Sequence, residues 1–394
     1  MNIETIRNDF PVLKKDVIYL DSSCVSLKPK QVVEAMNKYY YEFPACAGRS
    51  IHGFGSKVSG EITAARKNLA NFFSTKPNEI IFTRNATEGI NLVANSLGLK
   101  SGDKVLTSDK EHNSNLLPWQ NLTKEGILHQ VVLSNQDNTF NLAEFEKQIE
   151  GTRLVSIVHT SNLDGVSFPV EKIIKIAHRN GALVLLDCAQ SAPHKELNMR
   201  KLDADFMVCS GHKMLGPSGI GALYGKAKLL DQLQPFLLGG STVRDATYTS
   251  AEFEGAPAKF EAGLQNYAGI IGFSEAVTYL RNIGMKKIQH HEQELNKQLT
   301  DELLNLEAIS LIGPAGPSQR AGIFSFNIKD KDPHEVALML DQSAKIMVRS
   351  GAHCVHSWFN ARNLKGSVRA SLYLYNTEEE CTTFIDAVKA IATL

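Results

Sequence analysis

At 394 residues the chain exceeds the ~100–200 residues of a typical domain, which predicts two domains or one large domain with an appendage. Apolar residues make up 43% and charged residues 21%, and Lys+Arg equals Asp+Glu at 42 each. With no net charge there is no basic field to hold nucleic acid or an anionic membrane surface, so neither is expected as a partner and a small molecule is. The longest apolar stretches, Ala182–Leu186 and Val336–Leu340, fall far short of the ~20 residues that cross a bilayer. The opening MNIETIRNDF has no apolar core of the kind a secretory signal needs. Six cysteines are scattered without a CxxC pair, as expected of reduced thiols in a cytoplasmic protein.

Taken in chain order, QVVEAMNKYYYEF and SGEITAARKNLANFF read as amphipathic helices, with apolar residues at three- and four-residue steps. EIIFT, DKVLTS, LVSIVHT, ALVLLDC and DFMVC are short apolar runs flanked by turn residues and read as buried strands. Between them TEGINLVANSLG, NLLPWQNLTKEG and PVEKIIKIAHRNG each close on a glycine, where a helix ends in a left-handed residue. This alternation predicts a mostly parallel sheet with helices on both faces. After Gly239-Gly240 the rhythm changes. Two long helices over residues 267–307, strands AISLIG, GIFSFNI and KIMVRSG, then SVRASLYLY and a final helix predict a smaller α+β domain. The expected division is residues 15–266 for the large domain, and 1–14 with 267–394 for the small one.

In an open α/β sheet, ligands bind at the carboxyl ends of the strands. ALVLL runs directly into Asp187, a carboxylate that is costly to bury without a cation or several donors. Taken alone it reads as readily as a helix or turn cap. DFMVC runs into SGHKMLGPSGIGALYG, which sets Lys213 in a glycine-rich loop where Ser210 and His212 can donate to an anion. A lone lysine is usually a solvated charge. An acid at one strand end and a lysine at the next form a more specific pair. Pyridoxal phosphate chemistry needs a lysine for its Schiff base and an acid that keeps the pyridine nitrogen protonated. NATEGIN opens a helix at Ala86 and Thr87, whose N-terminus suits a phosphate, and EHNSN offers His112 to the same ring.

These segments, with HTSNLDGVSFPV, VRSGAHC and VRASLYLYNT, resemble the class V aminotransferase family. Within it they resemble the group II, SUF-type cysteine desulfurases and selenocysteine lyases, and the likeness runs from YLDSSCVSLKP nearly to the end. It implies a fold type I pyridoxal-phosphate-dependent transferase that converts L-cysteine to L-alanine, with L-selenocysteine as the alternative substrate. The sulfur would pass to a persulfide on Cys354 and then to an acceptor protein, for iron–sulfur cluster or related biosynthesis, and the enzyme would be a homodimer. The resemblance makes Lys213 the Schiff-base lysine, Asp187 the partner of the pyridine nitrogen and Gln190 the partner of the phenolic oxygen. His112 would lie on the ring and relay protons, and Ala86, Thr87, Ser210 and His212 would surround the phosphate. Asn162, Arg369, Arg349 and His52 would serve the substrate, with Arg369 gripping its carboxylate.

Most unpaired cysteines are inert core residues. Cys354 differs in sitting among Arg349, Gly351, His353 and His356, positive charge and a flexible glycine being what activates a loop thiol. HCVH lacks the second ligand pair of a structural zinc site, so no metal is expected. Departures from the family pattern are Asn85 and Ala86 where small or hydroxyl residues are common, Leu264 where a threonine from the dimer mate often meets the phosphate, Asn113 for a second histidine, and Ser22 and Ser23 for small apolar residues. Another class V reaction, by an aminotransferase, epimerase or lyase, would share Lys213 and Asp187 without needing the thiol. A cofactor-binding protein without turnover would need neither the thiol nor Arg369.

Overall fold

The computed structural model describes residues 1–394. A seven-stranded sheet forms the centre of the larger unit, in the order Ile80–Thr83, Gly221–Gly225, Phe206–Ser210, Leu183–Asp187, Thr152–Val158, Lys104–Ser108, Leu128–Val132. All neighbours are parallel except those of Gly221–Gly225, which runs against both. Side chains alternate between the faces, as the two-residue period of a strand requires. Leu106, Val155, Val184, Leu186 and Met207 enter the largest apolar core, while Val105, Leu154, Leu185, Phe206 and Val208 enter another. The expected glycine ends are present: Gly98, Gly126 and Gly181 all have positive φ, at 68°, 86° and 75°.

The strands Gly221–Gly225 and Leu128–Val132 were not foreseen from the sequence. GALYG looks like a loop because glycine weakens a strand signal, yet close packing requires it. A Cβ at Gly221 would lie 2.5 Å from the Cys209 carbonyl oxygen and 2.8 Å from Asn85 Cα. An exposed hairpin, Val243–Ala246 with Ala251–Phe253, was also missed.

The smaller unit is a four-stranded antiparallel sheet in the order Ile309–Ile312, Ile323–Ile328, Ser367–Ser371, Arg349–Gly351. Its core joins Phe324, Phe326 and Val368 to Leu295, Leu299, Leu340 and Phe384 from the helices Met285–Leu303, Pro333–Ala344 and Glu378–Ala392. Two packing contacts depart from the expected domain division. The helix Tyr267–Ile283 inserts Ile270, Phe273, Val277 and Leu280 into the large core and packs Gly272 on Met36 and Pro217, so it sits with the large sheet rather than the small one. Conversely, Ile18–Tyr19 pairs in parallel with Ile346–Met347, and Leu20 enters the small core. No helix is long and apolar enough to cross a membrane.

Candidate active site

Register brings the chemistry to the carboxyl ends of the central strands of the large sheet. Val158 lies opposite Asp187 and Asp187 opposite Val208, so the chain leaving each strand delivers its polar residues side by side. Asn162 follows one strand, Gln190 the next and Lys213 the third, while the helix Ala86–Ser96 starts beside them. Asn85 caps that helix by accepting from the Glu88 amide at 3.0 Å.

A cavity of about 230 Å³ opens where these ends meet the small domain. Every residue to which the resemblance gives a role toward cofactor, substrate or sulfur lines it except His52. Asp187 is buried, and its Oδ1 accepts from the Ala189 amide at 2.9 Å. Burial pushes its carboxyl up, opposed by that amide and by Lys213. Burial likewise lowers the Lys213 amine, with Asp187 opposing and Arg369 and Arg349 reinforcing the shift. Burial thus shifts both members toward their neutral forms, and the charge of each opposes the shift of the other. His112 caps the helix Asn113–Leu122, its Nδ1 accepting from the Ser114 amide at 3.1 Å, which leaves Nε2 carrying the ring proton. Burial, then the Lys213, Arg349 and Arg369 charges, hold it down at about 3, so it is neutral at ordinary pH.

At the anion end, Ser210 Oγ accepts from the Ala86 amide at 2.9 Å and Thr87 Oγ1 contacts Ser114 Oγ at 2.7 Å. The His212 carbonyl accepts from Lys28 Nζ at 2.8 Å and from Ser26 Oγ at 3.0 Å, which fixes the loop before Lys213. Gln190 Nε2 donates to the Ser23 carbonyl at 2.7 Å.

At the opposite end, Arg369 Nη1 donates to the Asn162 carbonyl at 2.9 Å and Nη2 to Asp21 at 3.3 Å. Asn162 in turn donates to the His353 carbonyl at 2.8 Å, and the Asn113 amide to the Cys354 carbonyl at 2.7 Å. The Cys354 loop is thus pinned from two sides. His353 and Cys354 are both left-handed, at φ 49° and 59°, a strained pair of the sort that marks functional loops. Arg349 Nη2 lies 3.9 Å from Cys354 Sγ.

Four buried polar atoms of residues lining this cavity have no partner: Gln190 Oε1, Asn162 Oδ1, His353 Nδ1 and Arg369 Nε. Buried polar atoms are almost always satisfied, so their convergence calls for a polar ligand. The donor set, with an acid and an amine facing each other and a helix N-terminus at one end, fits pyridoxal phosphate.

His52 is elsewhere. It caps the helix Gly53–Phe72 on the surface, accepting from the Gly55 amide at 3.3 Å. The structure also adds residues the sequence reading passed over. Asp21, at the end of YLD, holds Arg369. Cys24 lines the cavity beside Ser23. Glu111, next to His112, is buried and accepts from Asn115 Nδ2 at 2.6 Å and the Val158 amide at 3.0 Å. Only their adjacency to segments already singled out could have marked them.

Comparison with known proteins matches residues 18–384 to the family described as Aminotransferase class-V. A probable cysteine desulfurase of Pyrococcus abyssi is 40% identical, over 98% of this chain and 97% of its own. A probable cysteine desulfurase of Methanothermobacter thermautotrophicus is 38% identical, over 100% and 98%. The apo structure of a cysteine desulfurase from Thermococcus onnurineus superposes with a TM-score of 0.96 at 40% identity, covering 99% of this chain and 98% of that one.

Proposed function

Since the chain belongs to the aminotransferase class-V family, we propose that it is a pyridoxal-phosphate-dependent cysteine desulfurase, converting L-cysteine to L-alanine with a persulfide formed on Cys354. The observation that carries this reading is a thiol on a pinned, strained loop, beside a guanidinium, in the same cavity as the Asp187–Lys213 pair. Full-length relatives called cysteine desulfurase support it.

Asp187 would hold the cofactor's pyridine nitrogen, Lys213 its aldehyde carbon and Gln190 its phenolic oxygen, with His112 at the ring. The amides and hydroxyls at Ala86, Thr87, Ser210 and His212 would hold its phosphate. When bound, the cofactor draws electrons from the substrate α-carbon. Arg369 and Asn162 bind the substrate carboxylate and fix the α-carbon near Lys213, whose depressed basicity lets the free amine take the α-proton. Cys354, as a thiolate beside Arg349, attacks the substrate sulfur. A sulfur–sulfur bond forms and the carbon–sulfur bond breaks, its electron pair staying with the carbon fragment that leaves as alanine after protonation. Neutral His112, with its Nε2 proton, is available to pass protons across the cavity.

The persulfide sulfur is then taken by an acceptor protein, for iron–sulfur cluster or related biosynthesis, in the cytoplasm. Support for that compartment is six free thiols and no disulfide. We further propose a homodimer. Ile51, Phe54 and Leu264 are exposed apolar side chains, and their segments adjoin through Arg49, which bonds Ser241 at 2.8 Å, and through the Gly263 amide on the Gly240 carbonyl. His52 lies on this same face.

The test is alanine release from L-cysteine by the yellow holoenzyme, with and without reductant. Cys354→Ala should abolish release while the bound-cofactor absorbance survives. Alanine release by Cys354→Ala at the wild-type rate would sink the desulfurase assignment in favour of another class V reaction.

A further inference from the structure

The cavity contains a second thiol that the proposed reaction does not use. Cys24 Sγ accepts from Arg349 Nη1 at 2.7 Å, while the other terminal nitrogen of the same guanidinium faces Cys354 Sγ at 3.9 Å. One cation therefore spans two sulfurs, and both cysteines line the cavity and are half-buried. The other thiols are built differently. Cys188, Cys209 and Cys381 are buried in apolar core, and burial pushes Cys209 and Cys381 up to about 12. Cys46 sits apart, 3.8 Å from the Tyr267 hydroxyl.

The two cysteines also differ in their mounting. Cys24 stands on a fixed turn: its amide donates to the Asp21 carbonyl at 3.0 Å, and the Ser23 amide to Ser371 Oγ at 3.0 Å. Cys354 stands on a strained loop. Two unsatisfied polar groups, on Asn162 and Arg369, border the same space. A guanidinium shared by two sulfurs can stabilise negative charge on either, which is the requirement for moving sulfur between them.

We propose, resting on the desulfurase reading, that Cys24 is a second sulfur-carrying residue that takes the terminal sulfur of the Cys354 persulfide. The Cys24 thiolate attacks the outer sulfur. A new sulfur–sulfur bond forms on Cys24, the bond between the outer sulfur and Cys354 breaks, and its electron pair leaves on Cys354 as a thiolate. No oxidant or reductant is consumed. Arg349 receives the charge as it shifts from one sulfur to the other. Cys354 is thereby freed to meet a second L-cysteine before any acceptor arrives, and each protomer stores two sulfurs instead of one.

The holoenzyme is mixed with L-cysteine without reductant or acceptor, quenched with an alkylating agent and digested with trypsin, which places Cys24 and Cys354 on separate peptides. Wild type should carry the sulfur adduct on Cys354 first and on Cys24 afterwards, with an alanine burst roughly twofold that of Cys24→Ala and Cys24→Ser. In those variants the adduct should stay on Cys354, and in Cys354→Ala neither peptide should carry it. An adduct confined to Cys354 in wild type, with equal bursts, overturns the relay. So does a Cys24–Cys354 disulfide released with free sulfide, or an adduct on Cys24 in Cys354→Ala. Absence of any alanine from wild type overturns the desulfurase reading, and the relay with it.

Discussion

Glu111 is a second buried carboxyl close to Asp187, and the two cannot both be charged cheaply in one low-dielectric region. Burial pushes Glu111 up to about 8, against donors from Ser108 and Asn115, while Asp187 adds like-charge repulsion. Burial pushes Asp187 up as well, with the Ala189 amide and the Lys213 charge opposing the rise where the cofactor's ring nitrogen is expected. The sign for stability follows. Below the ordinary carboxyl value near 4.5, folded and unfolded chains are both protonated. Between there and about 8 only the folded chain keeps the proton, so stability declines as pH rises through that window. Glu111→Gln should flatten the decline, by an amount on the order of a few kcal/mol, as read from urea unfolding at several pH values. Parallel slopes in wild type and variant would contradict it. At this scale the sequence is most legible where a charged residue closes an apolar strand, because burial there demands a partner: Asp187 and Lys213 stand out for that reason. Glu111 and Asp21 do not, because their burial depends on segments far away in the chain, Val158 for one and Arg369 for the other.

The Cys354 loop works through its backbone. Gly351 has φ 104° and leads into the left-handed His353 and Cys354, so the thiol's direction is set by a run of conformations that L residues resist. Gly351→Ala should cost about 1–3 kcal/mol locally. It should also lower kcat for alanine formation while leaving the cofactor absorbance intact, because the cofactor-facing residues lie on other elements. An unchanged kcat would show that the glycine's conformation does not aim the thiol. The elements read well from the sequence were those whose local pattern and final packing agree, such as the five buried strands and the helices ending at Gly98, Gly126 and Gly181. The strand Gly221–Gly225 was hidden because its glycines answer to a neighbour's backbone, and Leu128–Val132 because an edge strand is only half buried and lacks a clean apolar run. The helix Tyr267–Ile283 was recognised as a helix, but its partner was not, since amphipathic spacing says which face is buried and not against what.

At the scale of the whole molecule, the exposed Ile51, Phe54 and Leu264 are 99%, 54% and 72% accessible, an unusual cost for an isolated chain. Ile51→Glu combined with Leu264→Glu should convert a dimer to a monomer by light scattering, since burying two charges in an apolar contact costs several kcal/mol. A wild-type monomer at micromolar concentration would count against the homodimer. The pairing of Ile18–Tyr19 with Ile346–Met347 has a consequence for how the tools of the site are shared out. It carries Asp21 and Cys24, early in the chain, over to the sheet that bears Arg349, Cys354 and Arg369, while Lys213, Asp187 and His112 stay on the other body. A small rotation between the bodies would therefore act on Arg369 and both thiols together, as one jaw of a vice, and through Ser23 on Gln190 and Ser26 on the His212 carbonyl it would reach the seat of the coenzyme as well.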